Sequence, residues 1–219
     1  MTAAAKKHSS ALELVGDHCD LSDRLPHVPP SARMRGLWFR IVAAEVKARG
    51  HEKAYRKFFP DDEFSSLRFY WTGDYLIRAA VGGALISGVE NLHDGMFEIS
   101  RRNASRFADS LFGRTLIRLL SPNPTQVVKQ GIAARRQTIT HGQWELVHAG
   151  DQTLQIQFRE EYMWIESHVA GSWKGTFEAI GIAVDLDCDL SDRFNGTIEF
   201  RWPAVAATQQ PLAPPAVSR

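Results

Sequence analysis

The chain has 219 residues, 44% of them hydrophobic and 23% charged, and its formal net charge is +1. This composition excludes wholesale disorder, a collagen-like repeat and a small disulfide-stapled fold. The near-zero charge argues against bulk attraction to nucleic acid. Cys19 and Cys188 are far apart and neither belongs to a CxxC, so no disulfide framework or zinc knuckle is expected.

In chain order, Lys6 and Lys7 are followed by no apolar stretch of signal-peptide length. No apolar run is long enough to span a bilayer. A cytoplasmic protein without a membrane span is the expectation. Residues 1–30 are weakly patterned and end in Pro26, Pro29 and Pro30, so they read as a loosely ordered lead. The Ala/Pro-rich stretch 203–219 reads as a disordered tail. A domain takes about 150 residues as a rule, so residues 31–202 are expected to form a single one.

Ser31 is placed as N-cap of a first helix through ARMRGLWFRIVAAEVKARG, with Gly50 closing it. Tyr75 to Ile86 reads as a second helix, weakened by Gly82 and Gly83. The clearest helix runs from Asp94 to Leu120. Phe97, Ala104, Phe107, Ala108, Leu111, Thr115 and Leu119 project to one side, and Arg102, Arg106, Arg114 and Arg118 to the other. Ser121-Pro122-Asn123-Pro124 ends it.

The second half changes period. RRQTITHGQWELVHAGDQTLQIQFREEYMWIE alternates and is rich in Thr, Ile, Val and aromatics, so it predicts a hairpin turning at Ala149-Gly150-Asp151. A short helix over Val169–Ile180 is closed by Gly181, and strands over Ile182–Leu190 and Thr197–Trp202 follow. The fold class is therefore α+β, an N-terminal helical layer packed on a C-terminal antiparallel sheet with one late helix.

Few residues point to chemistry. Asp185, Asp187 and Asp189 alternate, but an EF-hand needs Gly and Glu where Leu190 and Gly196 stand, so the three form a solvated strand face. There is no GxGxxG, GxxxxGK[ST] or GxSxG. The eight histidines are scattered, and each reads as a surface residue, with an axial haem ligand or a base as the alternative for any one of them. No catalytic or metal-ligating residue is singled out, and a non-enzymatic protein is expected.

Two features stand out. Between Arg101 and Arg136 there are eight Arg/Lys and one acid, whereas between Arg159 and Arg201 there are nine acids and four bases. The near-neutral total therefore hides a basic centre and an acidic C-terminal half. The basic stripe reads either as a solvated face or as an interaction surface through Arg102, Arg106, Arg114 and Arg118. Aromatics crowd the joint between the helices and the sheet. They make a core or line a pocket, with Trp71, Tyr75, Phe107, Leu111, Trp164, Trp173 and Phe177 as candidate lining residues.

PPSARMRGLWFRIVAAEVKARG, ISRRNASRFADSLFGRTLIRLLSPNPTQVVKQ and WKGTFEAIGI resemble, in that order, an uncharacterised family greatly multiplied in myxobacteria. That family resembles in turn a superfamily of ligand-binding domains, which includes haem nitric-oxide-binding sensors, 4-vinyl-reductase-like domains and Golgi transport-particle subunits. The resemblance implies a pocket between helices and sheet, and often a homodimer. The sensors' Tyr-x-Ser-x-Arg haem-propionate motif is absent, so neither haem nor a metal is expected. The resulting expectation is a non-enzymatic small-molecule-binding or sensory module, with an unknown apolar small molecule or an acidic protein surface as partner. A protein–protein interaction or scaffolding protein using the basic helix face is the alternative.

Overall fold

The structure, a computed structural model, describes residues 8–61, 63–109 and 123–203, without the side chains of residues 104–109. Its elements are α1 (Ser9–Val15), α2 (Leu21–Arg24), β1 (Arg33–Arg35), α3 (Gly36–Ala48), α4 (Glu52–Phe58), β2 (Phe69–Trp71), α5 (Thr72–Ser87) and α6 (Leu92–Asp109). They continue with α7 (Pro124–Arg136), β3 (Gln143–Ala149), β4 (Thr153–Arg159), α8 (Ala170–Ala179), β5 (Asp185–Asp192) and β6 (Asn195–Arg201). The α+β architecture expected from the order of helical and alternating segments is the one observed.

The main sheet is antiparallel throughout, in the order β3-β4-β6-β5. Its pairings run Trp144↔Phe158 for β3–β4, Ile156↔Ile198 for β4–β6 and Cys188↔Ile198 for β5–β6. Period two sends Leu154, Ile156, Phe158, Ile198 and Phe200 to one face, where all are fully buried. Each such side chain contributes roughly 1.5–3 kcal/mol of transfer free energy. Asp185, Asp187 and Asp189 lie exposed on the opposite face, as their alternation requires.

α8 covers the apolar face. Trp173 lies edge-on to Phe200 with ring centroids 5.8 Å apart, and Phe177 lies 5.3 Å from the same ring. Behind α8 runs α6, and the two helices touch backbone to backbone. A Cβ on Gly171 would collide with the Phe97 carbonyl, and one on Gly175 with that of Arg101. α5 lies behind α6 in turn, with Gly83 against Gly95. Apart from Asp74, Thr72 to Ala84 are all buried, which explains why this helix is apolar around nearly its whole circumference.

Three expectations need correction, and a fourth falls partly outside the described residues. Ser31 caps no helix. Residues Arg33–Arg35 form β1, which pairs with β2 in a second, two-stranded sheet. Met34 is buried between two better-exposed arginines, a period of two that the following helical pattern masks. The helix starts only at Gly36, where a Cβ would strike the Ser65 carbonyl and the Tyr70 ring.

Secondly, the lead is not loose over residues 8–30. Ala11, Val15, Leu21 and Val28 are buried in the common core, and Arg24 donates to the Tyr162 and Arg193 carbonyls at 3.1 Å each. Thirdly, Asn123-Pro124 is a helix start. The Asn123 side chain accepts from the Gln126 amide at 3.2 Å and Pro124 occupies the first turn, so α7 follows where a break was expected. Finally, the clearest helix is described over Leu92–Asp109 only. Its expected continuation to Leu120, and the tail after Pro203, lie outside the described residues.

Candidate functional site

β4 delivers the chain to a sharp corner. Glu160 adopts φ +53°, rare for a residue other than glycine, and its amide donates to the Asn195 side chain at 3.1 Å. The next amide, of Glu161, donates to the Phe194 carbonyl at 2.9 Å. Both contacts bind the corner to the β5–β6 turn. After it, Ile165–Val169 forms one π-helical turn before α8. Such a turn carries an extra residue and re-aims the side chains around it. Corner and turn together push Glu161, Trp164 and His168 into the seam between the sheet and the helical layer.

Glu161 is fully buried, yet it is ionised. Its Oε2 accepts from Arg135 Nη2 and from Trp144 Nε1, both at 2.6 Å, and its Oε1 accepts from the Met163 amide at 3.1 Å. His141 Nε2 stands 3.5 Å from the same Oε1. Burial alone would raise its pKa, but Arg135 and His141 outweigh burial and bring it down to about 2. Arg135 comes from the last turn of α7. It also donates to the His141 carbonyl at 2.6 Å and lies over the Trp144 ring at 4.4 Å. His141 Nδ1 in turn meets the Thr72 hydroxyl at 3.2 Å, which carries the network to the start of α5.

One turn further along α5, the Tyr75 hydroxyl meets His168 Nε2 at 2.5 Å, with the two rings edge to face. Burial lowers the pKa of His168 to about 4, so the ring is neutral at physiological pH, and burial also raises that of Tyr75. His168 Nδ1 is buried and has no hydrogen-bond partner among the described residues. An unpaired buried nitrogen costs on the order of 1–3 kcal/mol, so its retention calls for an explanation.

Trp164 closes the seam from the N-terminal side. Its indole N–H donates to Asp20 at 2.8 Å, and Asp20 also receives Arg24 and Arg193. Arg24, Trp164 and Arg193 together overcome the effect of burial and keep the Asp20 carboxyl below the usual range. His93 faces Ser167 at 3.2 Å and lies edge-on to Trp164. His8, His141 and His168 are all buried, against the expectation that each histidine is a surface residue.

The candidate pocket residues separate into groups. Tyr75 and Trp164 flank the His168 turn. Trp173 and Phe177 pack deep against the sheet, with Trp173 5.8 Å from Trp144. Trp71 lines a different groove, with Pro26, Pro29 and Phe69. Phe107 and Leu111 lie outside the residues whose side chains are described. So do Arg106, Arg114 and Arg118, and Arg102 is exposed beside Glu98 at 3.9 Å. The residue that ties α6 to α8 is Arg101, bound to Glu178 at 2.8 Å.

A helical layer on a four-stranded antiparallel sheet, with a helix between its second and third strands in sequence, is a fold that superposes on solved H-NOX proteins. The Fe(II) unliganded H-NOX protein from K. algicida superposes with a TM-score of 0.65 at 12% identity, over 80% of this chain and 100% of that one. An H-NOX protein from S. oneidensis in the Fe(II) ligation state gives 0.58 at 9% identity over 81% and 100%. A point mutant of T. tengcongensis H-NOX gives 0.54 at 12% identity over 78% and 98%. The chain itself belongs to the DUF2378 family of proteins of unknown function, whose pattern matches residues 28–201. No curated protein sequence matches it.

These neighbours overturn the expectation that haem is unlikely, which rested on scattered histidines and a missing motif. The chain's own donors agree with the correction. Haem iron takes a neutral imidazole as axial ligand. His168 is neutral and buried, its Nδ1 is unpartnered among the described residues, and its Nε2 is oriented by a tyrosine oxygen, the kind of outer contact that fixes metal-bound imidazoles. Among the described residues there is no cluster of three His, Cys, Asp or Glu side chains of the kind that cages a bare ion. A haem needs no such cluster, because the porphyrin supplies four of the nitrogens on the iron.

Proposed function

We propose that the chain is a sensory ligand-binding domain that holds a small molecule in the seam between helices and sheet, at Tyr75 and His168. Haem is the ligand class that the fold comparison favours. The observation that carries the reading is the unpartnered Nδ1 of a buried, neutral histidine held by a tyrosine. His168 would hold the iron through Nδ1, Tyr75 would fix the ring, and the Trp164 turn would keep water out. Bound haem would supply an iron centre open to a small gas. A shift of His168 would be felt by Tyr75 on α5 and, through the corner, by Glu161 and Arg135. No nucleophile–base pair belongs to this reading, and the protein is proposed to act by binding alone.

The test is native mass spectrometry after incubation with hemin and dithionite and removal of free haem. One haem per chain is expected, and none in His168→Ala, with both proteins folded by circular dichroism. Equal loading of the two proteins, or no loading of either, overturns the reading.

A further inference from the structure

We infer that the groove between α7 and β3 is a second, separate binding site, which takes a single-chain amphiphile with an anionic head. The groove encloses about 480 Å³, within the size range of small-molecule sites. Lys129, Ile132, Ala133 and Arg136 form its helical wall, since spacings of three and four bring these positions to one side of α7. Trp144 and Leu146 form its strand wall. Glu145 also lines the groove, although period two turns its side chain toward the other face of the sheet from Trp144 and Leu146.

Arg135 also lines the groove and is only 7% exposed. Its Nη atoms are taken up by Glu161 and by the His141 and Gly142 carbonyls, but its Nε is buried without a partner among the described residues. Arg135 thus brings to the groove wall a buried guanidinium N–H with no partner among the described residues, a donor still unmet by an oxygen anion. Lys129 and Arg136 at the rim add positive charge. Ile132, Trp144 and Leu146 offer an apolar track for a hydrocarbon body. Head and body thus have separate receptors side by side, which is the chemistry of a carboxylate- or phosphate-headed chain. The inference does not depend on what binds at His168, because neither Tyr75 nor His168 lines the groove.

The test is isothermal titration of the full chain with octanoate, octyl phosphate, octanol and inorganic phosphate, read alongside the Trp144 indole N–H resonance in NMR. Octanoate or octyl phosphate is expected to bind at least about tenfold more tightly than octanol and than inorganic phosphate. It should shift the Trp144 signal and lose at least about tenfold in affinity in Lys129→Glu/Arg136→Glu, whose melting temperature should stay unchanged. Preference for one of the two heads identifies the anion. Equal binding of octanol reduces the groove to an apolar patch, and equal binding of phosphate reduces it to a charged one. Either result overturns the inference, as does unchanged affinity in the double variant or no binding at all.

Discussion

Glu161 and His168 sit on the same stretch of chain, both deeply buried, and they are handled in opposite ways. Glu161 is charged, and Arg135, Trp144 and the Met163 amide satisfy it. His168 is neutral, with one nitrogen held by Tyr75 and the other left without a partner among the described residues. The Glu161 carboxylate has both oxygens engaged and no capacity left for a ligand, whereas the His168 ring has one nitrogen to spare. The comparison therefore separates a structural lock from a candidate binding point a few residues away.

The lock should break hardest. Glu161→Gln leaves the Arg135 guanidinium buried without a counter-charge, and a loss of about 3–5 kcal/mol in urea unfolding is expected. Replacing Arg135 by Met in the same chain should recover part of that loss. If the single variant is as stable as the parent, Glu161 is not a lock.

The two residues also divide the acid response. The unfolded chain protonates His168 near pH 6.5, but the folded one only near 4. The unfolded state thus binds more protons in that window, and stability falls as pH drops from 6.5 to 4, by on the order of 3 kcal/mol. Glu161 shifts from 4.5 to about 2, so its contribution is intact above pH 4.5 and is lost below it. His168→Gln should flatten the first limb and leave the second, as read by urea midpoints across pH.

Tyr75→Phe removes the partner of Nε2 and should cost about 1–3 kcal/mol, less than the Glu161 change because no charge is stranded. Arg102→Ala, on the exposed side of α6, should stay within about 0.5 kcal/mol, since exposed pairs contribute little. A larger effect would mean that the basic face is engaged elsewhere.

The fold was legible wherever the period was clean. The alternation of Leu154, Ile156 and Phe158 and the apolar run of α5 needed no tertiary knowledge. β1 was hidden because three residues of strand run straight into a helix, and α7 because two prolines read as a stop although Asn123-Pro124 is a start. The seam was far less legible. Tyr75 and Trp164 stood out by size, but their partners were hidden. The partners of Glu161 come from α7 and β3 and that of His168 from α5, while the corner at Glu160 and the π-helical turn obey no period that a helix or strand pattern shows. The one available signal was a run of charges and a histidine in EEYMWIESHV, inside an otherwise apolar and aromatic segment.

The most direct test of the central claim is the ¹⁵N NMR signature of the His168 ring. The account predicts a neutral ring with an unprotonated, acceptor-type Nδ1 that persists down to about pH 4, and a resonance that leaves its position when reduced haem is added while that of His141 remains. A His168 ring that titrates near pH 6.5, or whose signal is unmoved by haem, would contradict it.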